Sequence, residues 1–236
     1  MRNILNCVLY NEQDNITGFL DRVRKIRDLY AVEILDGSWS QEVNANVKST
    51  DHTKALVEDW RERNFVPFEV NFTESDHIWR TESEKRNHLL KITEEKHGSC
   101  WIIILDADEE IKFPNGMVHI CMTPLLTNRN KCGVVMSYPY NAIGELPGIR
   151  LIPSKIGVHY HTEYAMMLHD HNCKLLMDYN PQRIFKSWDV FDFKDMFIVN
   201  YWALRNNARQ YKKYFYSTWQ SEHLENKELK CQWIQS

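Results

Sequence analysis

No run of about 18 apolar residues, the length a membrane-crossing helix needs, occurs in the sequence, so no membrane span is expected. Glycine and proline are sparse, eight and seven residues of 236. No low-complexity stretch, no internal repeat and no linker between independently folding domains is evident. Neither sign of charge dominates: the formal charge of −3 leaves no electrostatic footprint for nucleic acid. The six cysteines (Cys7, Cys100, Cys121, Cys132, Cys173 and Cys231) include no CxxC pair, so a reduced, cytoplasmic protein without structural zinc is expected. The N-terminus, MRNILNCVLYNE, has no small-residue cleavage site and reads as a first strand rather than a signal peptide. A chain of 236 residues can bury a substantial core as one α/β domain.

What the sequence does contain is centred on WIIILDADEE at 101–110. A continuous apolar run that reverses abruptly into acid reads as a strand buried on both faces, as in a parallel sheet covered by helices. Its carboxyl end would project Asp106 and Asp108 into the crevice where open α/β sheets bind ligands. In extended chain, residues two apart point the same way, so both carboxylates can face one divalent cation. Upstream, NILNCVLY at 3–10 predicts a strand, and Ile16, Phe19, Leu20, Val23 and Ile26 predict a helix capped by Asp14 or Asn15. A second strand follows at 31–35 and stops at Asp36-Gly37-Ser38, completing a βαβ unit with a parallel pair. A polar, mobile loop is expected at 39–50, a helix at 51–62, and a strand at 65–72 that Pro67 marks as an edge or a late starter. A charged helix is expected at 82–97. Beyond Glu110 the pattern loosens to a short helix near 115–126, a strand at 133–140 and extended pieces near 149–152 and 156–161. From about Asp195, Met196, Val199, Ala203, Tyr211, Tyr214, Phe215 and Trp219 predict a helical C-terminal segment.

Three predicted strand ends, Asn11-Glu12, Asp36-Gly37-Ser38 and Asp106 to Glu109, fall on one edge of a parallel sheet and converge. The glycine after Asp36 allows close backbone approach to a ligand. Lys85, Arg86 and Asn87 open the 82–97 helix, where a cation and a helix N-terminus suit phosphate, although read alone Glu82, Glu84, Lys85 and Arg86 are a solvated face. Trp79, in an exposed loop, can stack on a base or cover the site. Two His-x-His pairs, His159/His161 and His169/His171, are open to three readings: a zinc site, completion of the Asp106–Asp108 metal site, or ordinary surface and core histidines.

The stretches NCVLYNEQDNITGFL, EILDGSWS, SEKRNHLL and WIIILDADEEI, in this order and spacing, resemble the family-2-type nucleotide-sugar glycosyltransferases of the GT-A fold. RLIPSKIGVHYHTE extends the likeness weakly into the acceptor half. The resemblance implies a GT-A-like, Rossmann-related, mostly parallel sheet flanked by helices, in a single domain over 1–236. Its nucleotide-sugar-binding half would be 1–112, its acceptor half 113–194 and its helical segment 195–236. It implies that Asn11 and Glu12 border the nucleoside, that Asp36 contacts the base, and that Arg86 and Asn87 lie by the diphosphate or sugar, with Asp106 also on the nucleotide. Asp106 and Asp108 would hold Mn2+ or Mg2+, with His169 and His171 as further candidate ligands. The implied reaction is inverting transfer of a hexose-like sugar from a UDP- or GDP-sugar to a hydroxyl acceptor. The usual base, a carboxylate in a Glu-Asp pair, has no clear match, and Glu163 and Asp170 are its nearest candidates. The run Asp36-Gly37-Ser38-Trp39 also departs from the family's paired small residues. Two other readings stay open. A nucleotidyltransferase would ordinarily carry a glycine-rich basic loop where Asn-Glu-Gln-Asp stands here. A non-catalytic glycan- or protein-binding module on a degenerate transferase fold is the other.

Overall fold

The structure is a computed structural model that describes residues 1–40, 42, 44–114, 119–139, 146–160, 168–169 and 190–201. The first half alternates as expected: β1 (Arg2–Leu9), α1 (Ile16–Val23), β2 (Ala31–Asp36), α2 (Thr53–Arg63), β3 (Glu69–Glu74), α3 (Glu82–His97) and β4 (Cys100–Ile104). The remaining described elements are β5 (Glu109–Lys112), α4 (Met122–Thr127), β6 (Cys132–Pro139), β7 (Leu146–Pro153), β8 (His159–Tyr160), β9 (Leu168–His169), β10 (Val190–Asp192) and β11 (Phe197–Asn200).

Among the described residues the main sheet runs β3-β2-β1-β4-β7-β6-β11-β5, with β10 beside β6. β3, β2, β1 and β4 are parallel neighbours, whereas β4–β7, β7–β6 and β11–β5 are antiparallel. Among the described residues the sheet is therefore mixed, with parallel pairs in the majority, as the expectation of a mostly parallel sheet had it. The β3-β2-β1-β4 parallel run belongs to the β/α repeats, and β6 also pairs parallel with β10 and β11.

β4 is buried along its whole length, and its two faces feed separate cores. Trp101 and Ile103 join Phe19, Leu20, Val57 and Trp60 under α1 and α2. Cys100, Ile102 and Ile104 pack with Leu90 of α3 on the opposite face. The α3 side also carries a polar row: Asn6, Glu33 and Asn71 are register partners across β1, β2 and β3. Thr93 donates to Asn6 (2.9 Å), and Lys96 (3.0 Å) and His97 (2.6 Å) reach the Glu33 carboxylate. Buried polar groups need partners, so this row fixes the register of α3 on the sheet.

Three expectations change. β3 starts after Pro67, and Phe65, expected inside the strand, is fully exposed. Phe197 to Asn200, expected to open a helix, form strand β11, because they hydrogen-bond to β5 on one side and β6 on the other. Residues 202–236 of that expected segment lie outside the described residues. The 44–50 part of the expected mobile loop is held by hydrogen bonds to Asp36, Ser38 and Asn11. Among the described residues no helix is long and apolar enough to cross a membrane.

Candidate active site

The parallel register brings the strand ends together as expected. Leu9 is the partner of Asp36, and Leu105 extends the β1–β4 ladder by donating to the Asn6 carbonyl (3.1 Å). The three polar ends meet on one edge, but they do different things there.

At the β1 and β2 ends the side chains hold the protein's own loop. Asn11, at φ 53°, has the left-handed backbone that asparagine tolerates. Its side-chain oxygen accepts from Thr50 N (2.8 Å), and its N–H donates to the Ser49 hydroxyl (2.7 Å). Glu12 is buried, accepts from Asn15 (2.8 Å), and donates its N–H to Thr53 Oγ1 (2.8 Å). Asp36 is buried and takes both the N–H (2.8 Å) and the hydroxyl (2.5 Å) of Ser49. Burial raises its pKa, and the Ser49 hydrogen bonds oppose the rise. Gly37, at φ 130°, is required by the chain itself: a Cβ there would meet the Ser75 hydroxyl at 2.5 Å and the Val47 carbonyl at 2.6 Å.

Lys85, expected on a solvated face, is fully buried between these ends and donates to the carbonyls of Leu9 (2.7 Å) and Gly37. Burial pushes its pKa down to about 7, against the pull of Asp36 and Glu82. The sequence signal was available, since Lys85, Leu89 and Thr93 form one buried stripe at four-residue spacing. Trp79, expected in an exposed loop, is also buried: it packs with Val8, Leu35 and Leu89, and its indole N–H donates to Ser75 (2.7 Å). A bridge between Trp39 and Trp79 draws that loop onto the sheet edge, leaving the ring facing inward.

At the β4 end the chain does not stay extended. The N–H of Glu109 donates to the Asp106 carbonyl (3.0 Å), so residues 106–109 form a turn. The expectation that Asp106 and Asp108 share one side of a strand is corrected accordingly. The Asp106 side chain is 29% exposed and accepts from Arg86 Nη2 at 2.8 Å. Asp108 is buried at the tip of the same turn. Arg86 also binds Glu82 on its own helix, Nε to Oε1 at 2.8 Å. Burial works against its charge, but Asp106 and Glu82 outweigh burial and hold the guanidinium pKa well above the ordinary arginine value. Thr81 caps α3 by accepting the Glu84 N–H (3.1 Å), which starts the helix where Arg86 falls beside Asp106.

Asn87 braces the acceptor side rather than standing open. It donates to the Tyr160 carbonyl (3.0 Å) and accepts the Tyr160 N–H (2.7 Å). Tyr160 lies by Arg86, 5.8 Å from guanidinium carbon to ring centre, and burial pushes its pKa up to about 12 with Arg86 opposing. A cavity of about 10 Å³, room for one water, lies among Asn6, Val8, Arg86, Leu89, Ile104 and Tyr160. His169 is placed in β9 as the register partner of His159. Glu163, Asp170, His161 and His171 lie outside the described residues. Among the described residues no group of three or more His, Cys, Asp and Glu is arranged to hold a metal ion.

One buried acid had no expected role. Glu109 forms a two-pronged ion pair with Arg150 of β7, Nη1 to Oε2 at 2.9 Å and Nη2 to Oε1 at 2.7 Å. Its alternation with buried Ile111 along β5 was the sequence sign of an inward position.

No family model matches the chain, and no curated protein matches it. Among solved structures it is similar to S. aureus TarS 1-349 in complex with UDP-GlcNAc, at 17% identity and a TM-score of 0.43, over 66% of this chain and 38% of that one. The complex of TarS 1-349 with UDP gives 16% identity and a TM-score of 0.44, over 66% and 39% of the two chains. S. aureus TarS gives 19% identity and a TM-score of 0.41, over 61% and 23%. The chain thus spans well under two thirds of the length of these structures.

Proposed function

We propose that the chain is a metal-dependent glycosyltransferase of the GT-A kind, moving a sugar from a UDP- or GDP-sugar to a hydroxyl acceptor. One observation carries the reading: a part-exposed carboxylate, Asp106, and a buried one, Asp108, share a turn at the carboxyl end of the central strand, with Arg86 fixed against the first. That is the edge where an open α/β sheet takes its ligand. Two carboxylates are the usual protein share of a Mg2+ or Mn2+ site, with substrate phosphates and water completing it, so the donor set present suits such a cation. The chemistry the cation supplies when bound is to offset charge developing on the nucleoside diphosphate leaving group.

In this reading Arg86 holds Asp106 and adds positive charge beside the diphosphate, and Asn87 holds the Tyr160 strand against α3. Asn11, Glu12 and Asp36 shape the nucleoside end by fixing the 46–53 loop. Transfer joins the acceptor oxygen to the anomeric carbon, breaks that carbon's bond to the diphosphate oxygen, and sends the hydroxyl proton to a base. Glu163 and Asp170 are proposed for that proton and inversion for the outcome, with His169 and His171 as further metal ligands. A cytoplasmic setting goes with this reading. Cys7, Cys100 and Cys121 are free thiols.

Thermal melting with a panel of nucleoside diphosphates and nucleotide sugars, with and without Mn2+, tests the proposal. A ligand that binds the native state raises the melting temperature by mass action. A Mn2+-dependent rise with at least one nucleoside diphosphate, lost in Asp108→Asn, is expected. No rise with any of them overturns the transferase, and a rise without hydrolysis or transfer makes the chain a binding module.

A further inference from the structure

The 106–109 turn is tied more heavily than a connection between two strands requires. Arg22 of α1 donates to the carbonyls of Ala107 (3.0 Å) and Glu109 (3.3 Å), and the Tyr201 N–H donates to the Asp108 carbonyl (2.7 Å). The Glu109 carboxylate, 1% exposed, reaches back to accept the Asp106 N–H at 2.9 Å through Oε2. Together with the bond from Glu109 N–H to the Asp106 carbonyl, this closes the turn from both ends. The same carboxylate is held by both prongs of Arg150 from β7 and by Asn200 of β11 (3.1 Å). β7 pairs with β4 and β11 pairs with β5, so the clamp ties the turn to two strands far along the chain.

We propose that Glu109, gripped by Arg150, is a positioning residue that presets the Asp106–Asp108 turn for the divalent cation and diphosphate without touching either. This rests on the transferase reading. Its physical basis is that a carboxylate pair binds a cation tightly only when the groups behind it fix its geometry, and losing such outer partners costs about 10- to 100-fold in metal affinity. The ion pair is buried and two-pronged, the arrangement in which arginine adds direction as well as charge.

The test measures the Mn2+ concentration giving half of the nucleoside-diphosphate-dependent melting shift, together with direct Mn2+ titration followed by the resonance signal of free Mn2+. It compares wild type, Arg150→Lys, Arg150→Met and Glu109→Gln, using the nucleoside diphosphate with the largest wild-type shift. Glu33→Gln is the control, because it breaks a buried polar cluster under α3, away from the turn. Expected are a rise in half-saturation of about 10- to 100-fold in Arg150→Met and Glu109→Gln, a smaller rise in Arg150→Lys, and no rise in Glu33→Gln despite its lower metal-free melting temperature. If Arg150→Met does not fold, Arg150→Lys decides. A wild-type shift whose Mn2+ dependence the folded variants leave within about twofold overturns the positioning role alone, being below the loss expected of an outer partner. An equal rise in Glu33→Gln also overturns it, by making the effect one of general stability. No Mn2+-dependent shift in the wild type overturns both this inference and the transferase reading.

Discussion

The two ends of the candidate site are built on opposite principles. At the β1 and β2 ends, Asn11, Glu12 and Asp36 turn their polar atoms onto Ser49, Thr50, Asn15 and the neighbouring loop, and a buried lysine joins the strand ends from below. At the β4 end, the backbone of the turn is pinned while the Asp106 side chain keeps 29% of its surface open. The first region uses its charges to make a wall; the second uses its neighbours to hold a charge in place. Substitutions in the wall should therefore register as stability, and substitutions behind the turn as ligand response.

The sharpest way to break this contrast is Lys85→Ala. It removes the donor shared by Leu9 and Gly37 and leaves a cavity under two strand ends, at a cost of about 3–5 kcal/mol. Urea denaturation would measure the loss, and a cost below about 1 kcal/mol would show that the wall does not depend on its lysine. Gly37→Ala comes next. Its positive φ and the close approach of Ser75 and Val47 predict a loss of about 2 kcal/mol, visible as a lower urea midpoint at unchanged slope.

The pH dependence is the smallest effect. The unfolded lysine takes its proton near 10.5, whereas burial lowers Lys85 to about 7. Between these values the unfolded state binds more protons, so this contribution makes stability rise with pH. Above about 9 the buried Cys7 thiol, raised mainly by burial, works in the opposite direction. The clean window is therefore about pH 7 to 9, and urea midpoints across it should climb in the wild type and flatten in Lys85→Met. A flat wild-type profile would mean that the two carbonyls and Asp36 keep the ammonium charged.

The order of the first seven elements was legible because each carries its own signal. The apolar stripe of Ile16, Phe19, Leu20 and Val23 is the buried side of α1, and Thr81 and Gly98 bound α3. The strand-end residues were legible too, because parallel strands put their carboxyl ends on one edge whatever the details. What could not be read depended on partners far along the chain. Phe197 to Asn200 look helical in isolation and become a strand because β5 and β6 leave room between them. Trp79 lies in polar sequence, yet a bridge to Trp39 carries it inward.

The sequence by itself determined that a doubly covered strand ends in Asp106 and Asp108, because apolar runs and acidic breaks are local facts of composition. Only the tertiary structure decided that these residues sit on a turn rather than an extended edge. It also decided that Lys85 reaches the carbonyls of Leu9 and Gly37, and that Glu109 faces Arg150 from 41 residues away. Hydrogen bonds and ion pairs across such separations exist only after the backbone has closed them, and no pattern within one segment encodes the partner.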